Sequence, residues 1–183
     1  MSRARLGVIF FIISEVGFFG MLIIAYVALH NATPGGPTAQ RSLDVAKTGF
    51  YTFLLLSSSL TIWLAERAER RGRVGATRGW LGATIVLGGA FLVGQSIEYY
   101  SLLVRHITPA SGLFATCFFT LTGFHGGHVL AGLVMLGTVF GLDFNPRFRR
   151  LRGNALCSVS LYWHFVDVVW IVVFSVVYLR ILS

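Results

Sequence analysis

Charge is what this sequence lacks first. Only 12% of its 183 residues are charged, about half the roughly 25% of a soluble domain. Acidic groups are scarcest, with seven Asp and Glu against fifteen Lys and Arg. A soluble core covered by a charged surface is therefore excluded. Cysteine is nearly absent too. Cys117 and Cys157 lie in or beside separate apolar runs, with no C-x-x-C spacing. That excludes a disulfide framework, and both read as small buried residues. There is no phosphate-cradling loop, no dinucleotide fingerprint and no nucleophile motif. Neither H-E-x-x-H nor Glu-x-x-His occurs, so the common helical metal patterns are missing. Glycine pairs such as Gly88-Gly89 fall inside apolar runs and suit helix packing. No repeat of fixed period stands out. The net charge of +8 does not imply nucleic acid. The basic residues sit in short segments between apolar runs, and no basic face interleaved with aromatics stands free.

What is present is hydrophobic length. Apolar residues make up 55% of the chain, and its mean hydropathy is +0.75. Five runs are long enough to cross a bilayer, at about residues 6–29, 48–65, 80–104, 112–140 and 155–182. These predict an all-α, polytopic membrane helix bundle forming a single membrane domain over residues 1–183. Arg3 and Arg5 ahead of an apolar stretch resemble a signal peptide. That stretch continues to about Leu29 and contains Glu15, so it is expected to remain as the first span. Residues 30–44 form a turn-rich loop around Pro34-Gly35-Gly36-Pro37. The glycosylation triplet Asn31-Ala32-Thr33 within it is of a kind common by chance. Residues 66–79 and 143–153 read as basic loops.

The basic residues also predict orientation. Eleven of the fifteen Lys and Arg lie on one side: Arg3, Arg5, those between Arg67 and Arg78, and those between Arg147 and Arg152. Arg41, Lys47, Arg105 and Arg180 lie on the other. By the positive-inside bias the N-terminus is cytoplasmic and the C-terminus outside.

Ionisable groups inside a span are costly, by about 3 to more than 10 kcal/mol for an unpaired charge, and must face the bundle. Glu15 lies roughly 14 Å into the first span and shares a helical face with Phe11, Phe18, Phe19, Leu22 and Tyr26. It either handles protons or is a protonated acid bonded to a neighbouring helix. Ser57-Ser58-Ser59 can bond back along their own helix or across to another. Gln95 and Glu98 form a polar pair in the third span. His125 and His128, three apart in TGFHGGHV, share a face of the fourth. Gly123, Gly127 and Ala131 form a small-residue ridge about 100° away, of a kind that admits close backbone approach. On the fifth span Ser160, His164, Asp167 and Ser175 make a polar stripe. These groups could be a carboxylate–histidine metal or haem site, or a polar network that joins helices.

Several segments, in order, resemble one family. IISEVGFF at Ile12–Phe19 is similar to the glutamate-bearing first conserved helix of subunit III of haem-copper terminal oxidases, the cytochrome c oxidase subunit III family. LLSSSLTIW at Leu55–Trp63 resembles its serine-rich next helix, and QSIEYY at Gln95–Tyr100 its Q-x-x-E-Y element. FFTLTGFHGGHV at Phe118–Val129 and YWHFVDVVW at Tyr162–Trp170 are the most specific matches. The resemblance implies a non-redox, non-catalytic subunit of a proton-pumping oxidase that reduces oxygen to water. Haem and copper are then expected in the partner subunits I and II, with no cofactor or metal on this chain. Phospholipid binding and support of sustained turnover are implied, with cytochrome c as the favoured donor. Glu15, His125, His128 and His164 are then expected to join helices rather than carry chemistry. The resemblance departs from the family in two ways. Mitochondrial-type members have seven spans, and the two missing here form one wall of a lipid cleft; five spans point to a bacterial inner membrane. Gly127 also stands where the family commonly carries a bulky apolar residue. The alternatives are a quinol oxidase subunit III, an accessory protein of nitric oxide reductase, and a stand-alone metal transporter built on the histidines.

Overall fold

The computed structural model describes residues 3–29, 43–142 and 149–178. Lipid offers backbone N–H and C=O groups no partner, so an apolar run of this length must satisfy them internally, as a helix. Five helices result: α1 (Arg3–Leu29), α2 (Val45–Arg70), α3 (Val74–Val104), α4 (Leu113–Leu142) and α5 (Arg149–Val177). They hold 26 to 31 residues each, about 39 to 46 Å of helix. All five are long and apolar enough to cross a membrane.

One expected loop is largely helix, and a second is helical where it is described. Residues 66–79, read as a basic loop, are helical up to Arg70 and again from Val74. Arginine, glutamate and alanine are good helix formers once clear of the hydrocarbon. The i,i+4 pair Arg70–Glu66 closes at 2.8 Å and supports the last turn. α5 likewise begins at Arg149, inside the second expected loop, while residues 143–148 lie outside the described residues. So do most of the loop at 30–44, including its glycosylation triplet, and residues 179–182 of the fifth expected span.

Helix ends are capped by local chemistry. Asp44 precedes α2, and its carboxylate accepts from the Lys47 N–H at 3.1 Å, filling one of the open donors of the first turn. α2 ends in a double turn: the N–H groups of Gly72 and Arg73 donate to the carbonyls of Glu69 and Ala68, at 2.9 and 3.0 Å. Gly72 supplies the left-handed residue this needs, with φ +67. α3 closes identically, with the N–H groups of His106 and Ile107 reaching Leu103 and Leu102 at 2.9 Å each. Here the left-handed position, φ 58, is held by His106. The apolar contact of this cap is met by Ile107, packed on the core that contains Leu102.

α2, α3, α4 and α5 close into a four-helix ring, each packing on its neighbours in chain order and α5 returning to α2. α1 lies outside the ring, in the furrow between α4 and α5. It buries Phe19 and Tyr26 and exposes Phe10, Ile13, Met21 and Ile24. Large exposed apolar side chains recur on every helix, such as Phe53, Val86, Val134 and Val168. In water such patches would drive aggregation; here they form the lipid-facing surface.

The two caps make a matched test. His106→Gly relieves the cost of an L residue at positive φ, and is expected to stabilise the protein by about 1 kcal/mol. Gly72→Ala is expected to destabilise it by a similar amount. Thermal melts in detergent should move in opposite directions; shifts of the same sign would contradict the cap assignment.

Candidate functional site

The polar side chains are spent on joints between helices. Four such joints fasten α5 to α2. Trp163 and Trp170 are both fully buried, and an indole N–H in hydrocarbon needs an acceptor. Trp163 Nε1 donates to Ser58 Oγ and Trp170 Nε1 to Thr52 Oγ1, each at 2.9 Å. Each of these hydroxyls donates its own proton to a carbonyl of its own helix, at Leu55 and Thr48 respectively. A lone pair is thereby left for the indole. One residue further along, Ser59 Oγ touches both His164 Nδ1, at 3.0 Å, and the Asp167 carboxylate. At the arginine-rich end Arg152 pairs with Glu69. The serine run therefore does both things open to it: Ser57 bonds back to Phe53, Ser59 bonds across, and Ser58 does each.

Close packing accompanies these bonds. Trp163 lies between two glycines of facing helices. A Cβ on Gly88 of α3 would stand 2.7 Å from Trp163 Cη2, and one on Gly132 of α4 would stand 2.8 Å from its Cε3. The ring of Tyr51 lies against Gly94 in the same way. No side chain larger than hydrogen fits at these positions without displacing a ring.

Gln95 and Glu98 do not act as a pair. Gln95 Nε2 donates to the Thr122 carbonyl of α4 at 3.0 Å, and Tyr99 reaches the Thr122 hydroxyl at 2.7 Å. Glu98 instead accepts from Thr48 Oγ1 of α2 at 2.9 Å and from Tyr178 at 2.8 Å. Thr48, Thr122 and Tyr178 were not singled out from sequence. Their only signal was a hydroxyl at the same membrane depth as an acid or amide on another span.

The two histidines of α4 diverge. His125 is fully buried, stacked on Trp170 with ring centroids 4.7 Å apart and edged by Phe91 at 5.9 Å. His128 turns to α1. Its Nε2 lies 3.1 Å from Glu15 Oε2, and its Nδ1 lies 2.8 Å from the Phe124 carbonyl. A carbonyl only accepts, so Nδ1 carries a proton. The Glu15–His128 contact then holds one further proton, either on the carboxyl facing a neutral imidazole or on the imidazolium facing a carboxylate. In both forms the pair is neutral overall, which is what a low-dielectric site demands. Tyr162 of α5 donates to the His128 carbonyl at 3.0 Å, so α1, α4 and α5 meet at this residue. With His125 walled by rings and His128 committed to Glu15, the two imidazoles do not offer a shared set of metal donors. Among the described residues no three His, Cys, Asp or Glu side chains cluster to hold a metal ion.

Two other sequence expectations change. The stripe on α5 is broken: Ser160 and Asp167 are buried, but Ser175 is exposed and bonds back to Ile171. Among the described residues no helix packs closely onto the ridge of Gly123, Gly127 and Ala131. A Cβ on Gly127 would meet nothing within 4 Å, and one on Gly123 would meet only the Tyr99 hydroxyl, at 3.5 Å. The ridge instead floors an open groove of about 560 Å³ beside Phe11, Phe124, His128 and Tyr162. The reason is register: α1 crosses at Glu15 and Phe19, on the His128 side of α4, and leaves the glycine side uncovered.

Comparison with known proteins places this arrangement among relatives. The family model described as Cytochrome c oxidase subunit III matches residues 1–181. Cytochrome c oxidase subunit 3 of Corynebacterium diphtheriae is 37% identical over 180 residues, covering 97% of this chain and 88% of the relative. Cytochrome c oxidase subunit 3 of Synechocystis is 37% identical over 175 residues, covering 94% and 74%. Cytochrome bo(3) ubiquinol oxidase subunit 3 of Pseudomonas aeruginosa is 33% identical over 169 residues, covering 92% and 81%.

The packing contrast between the glycines is testable. Gly132→Ala drives a methyl into Trp163 and is expected to cost about 1–3 kcal/mol, the range of overpacking. Gly127→Ala, facing open space, is expected to stay within about 0.5 kcal/mol. Chemical or thermal unfolding in detergent reads both; equal losses at the two sites would refute the assignment of Trp163 to the Gly88–Gly132 slot.

Proposed function

The chain belongs to the cytochrome c oxidase subunit III family, and from that premise we propose that it is the non-redox subunit III of a proton-pumping haem-copper oxidase of a bacterial inner membrane. The observation that carries this is the match over residues 1–181 on a chain whose five apolar helices account for most of that length. The chain's polar groups support the assignment by their use. They tie helices together, and among the described residues no three His, Cys, Asp or Glu side chains cluster as metal donors. Haem, copper and the reduction of oxygen then belong to the partner subunits I and II. The role of this chain is to pack beside them, bind phospholipid and sustain turnover. The open groove along Gly123, Gly127 and Ala131 is where an acyl chain or a partner surface would lie.

Cytochrome c is the proposed electron donor, in keeping with the names of the Corynebacterium and Synechocystis relatives. Ubiquinol is the second reading, favoured by the Pseudomonas relative. A cytoplasmic N-terminus is part of this proposal; the gathering of Arg67, Arg70, Arg71, Arg73, Arg78 and Arg152 at one end of the helices supports it.

Affinity purification of the tagged chain from its native membrane tests the assignment. Oxidase subunits I and II with a haem absorbance spectrum are expected, and the complex should oxidise reduced cytochrome c faster than ubiquinol. Recovery of the chain without them, or with stoichiometric metal of its own, would sink the proposal. Orientation has a separate check. Alkaline phosphatase fused at the C-terminus should be active and fused at the α2–α3 turn inactive; the reverse would invert the topology.

A further inference from the structure

Between α2 and α5, at the arginine-rich end, lies a cavity of about 680 Å³ whose wall includes Trp63, Glu66, Glu69, Arg70, Ser160 and His164. It also touches Gly153, and the separation of Gly153 from His164 along α5 corresponds to roughly 16 Å. The cavity thus runs from the charged end of the bundle to the depth of His164. Its two ends are polar, at Glu66, Glu69 and Arg70 and at Ser160 and His164, and it is wide enough to admit water between them. At its inner end His164 Nδ1 meets Ser59 Oγ at 3.0 Å, and the same hydroxyl contacts Asp167 Oδ2. Asp167 is 2% exposed, and its second oxygen, Oδ1, is buried without a hydrogen-bond partner.

We propose that this cavity is a proton-access vestibule, and that His164, Ser59 and Asp167 form a proton-binding site at its inner end. The hydroxyl decides this. Ser59 has one proton and two partners, so it donates to one and accepts from the other. With the carboxylate ionised, Ser59 donates to Asp167 Oδ2 and accepts the His164 Nδ1–H. Nδ1 being committed, Nε2 is the ring nitrogen left to meet the cavity. Hydronium arriving there gives a proton to Nε2 and becomes water. The Nδ1 proton passes to Ser59 as the serine's own proton passes to Asp167. One proton has entered, the carboxyl is neutral, and the imidazole has exchanged tautomers. In the loaded state the hydrogen bonds point the other way, from Asp167 through Ser59 to His164 Nδ1. Both states keep every member of the chain bonded, which a purely structural clasp does not require.

The surrounding charges leave the site free to bind that proton. On α2, Glu66 is paired with Arg70. Glu69 is paired with Arg152 of α5. Cys157 of α5 lies in the cavity wall. From α4, His125 lies against Trp170 and His128 is held by Glu15 of α1.

The test uses the intact complex in which this chain resides. Infrared difference spectra are recorded as the buffer is cycled in pH and exchanged from H2O to D2O. A carboxylic C=O stretch that shifts on deuteration is expected, and it should vanish in Asp167→Asn. In Ser59→Ala its deuteration should slow by about tenfold or more, as for loss of a positioned proton carrier; Ser59→Thr, which keeps a hydroxyl, should restore the rate. Should Asp167→Asn fail to assemble, Asp167→Glu serves instead and should displace the band. Retention of every carboxylic band in the Asp167 variant, or unslowed exchange in Ser59→Ala, would overturn the proposal. The readout is the side chain's own vibration, so that failure would leave the family assignment untouched, as would success.

Discussion

The bundle depends on the seam between α2 and α5. Two tryptophans bring large apolar rings into a lipid-soluble core, where their N–H groups cannot go unpaired without a cost of a few kcal/mol each. Ser58 and Thr52 meet that demand from the facing helix. Because the two helices run antiparallel, the joints fall in one register. Arg152 meets Glu69, Trp163 meets Ser58, Asp167 meets Ser59 and Trp170 meets Thr52. A slide of α5 by one turn would break all four together, which makes the register far better defined than apolar packing alone could make it. Apolar side chains tolerate repacking of similar volume; directed hydrogen bonds in hydrocarbon do not.

The glycines follow from the tryptophans. An indole pressed against α2 by its hydrogen bond has its far edge carried toward α3 and α4. Gly88 and Gly132 are the residues that let those helices close over the ring. A third close contact, Tyr51 on Gly94, brings α2 and α3 together by the same means. The ring of four helices is thus held by bulky aromatics set into glycine slots. Among the described residues α1 buries Phe19 and Tyr26 and packs on the outside of this ring.

Helix number and type were legible in the sequence, because the length of an apolar run is a one-dimensional property. The inner faces were legible in part. Glu15, His128, His164 and Asp167 stood out as groups that need partners, but their partners are set by which spans touch. Ser57, Ser58 and Ser59 illustrate the limit. Successive residues point about 100° apart on a helix, so one turns to its own backbone, one to Trp163 and one to the His164–Asp167 pair. Nothing local distinguishes them. Arg152 and Glu69 were lost in segments read as loops, because charge density was taken as the end of the helix when it marked only the end of the hydrocarbon. The Gly123–Gly127–Ala131 ridge failed for a different reason. Small residues at four-residue spacing report that a helix surface is flat, not that another helix covers it.

That uncovered surface bears on how the chain works with others. A helix pair in lipid gains little from apolar contact, since acyl chains solvate apolar side chains as well as a neighbouring helix does. Association therefore needs either polar joints or a shape that lipid fills poorly. Joints between helices have used most of the inward polar groups within the chain itself: the two indoles, Glu98, Gln95 and the Glu15–His128 pair are all committed. What remains for a partner on the α1–α4–α5 side is shape. There the grooves beside Gly127 and Met135 share Phe11, Ala131 and Tyr162. A grooved flank of this kind suits an acyl chain or a smooth helix better than a charged group. The same hydrogen bonds that fix its own helices fit the supporting role proposed for it.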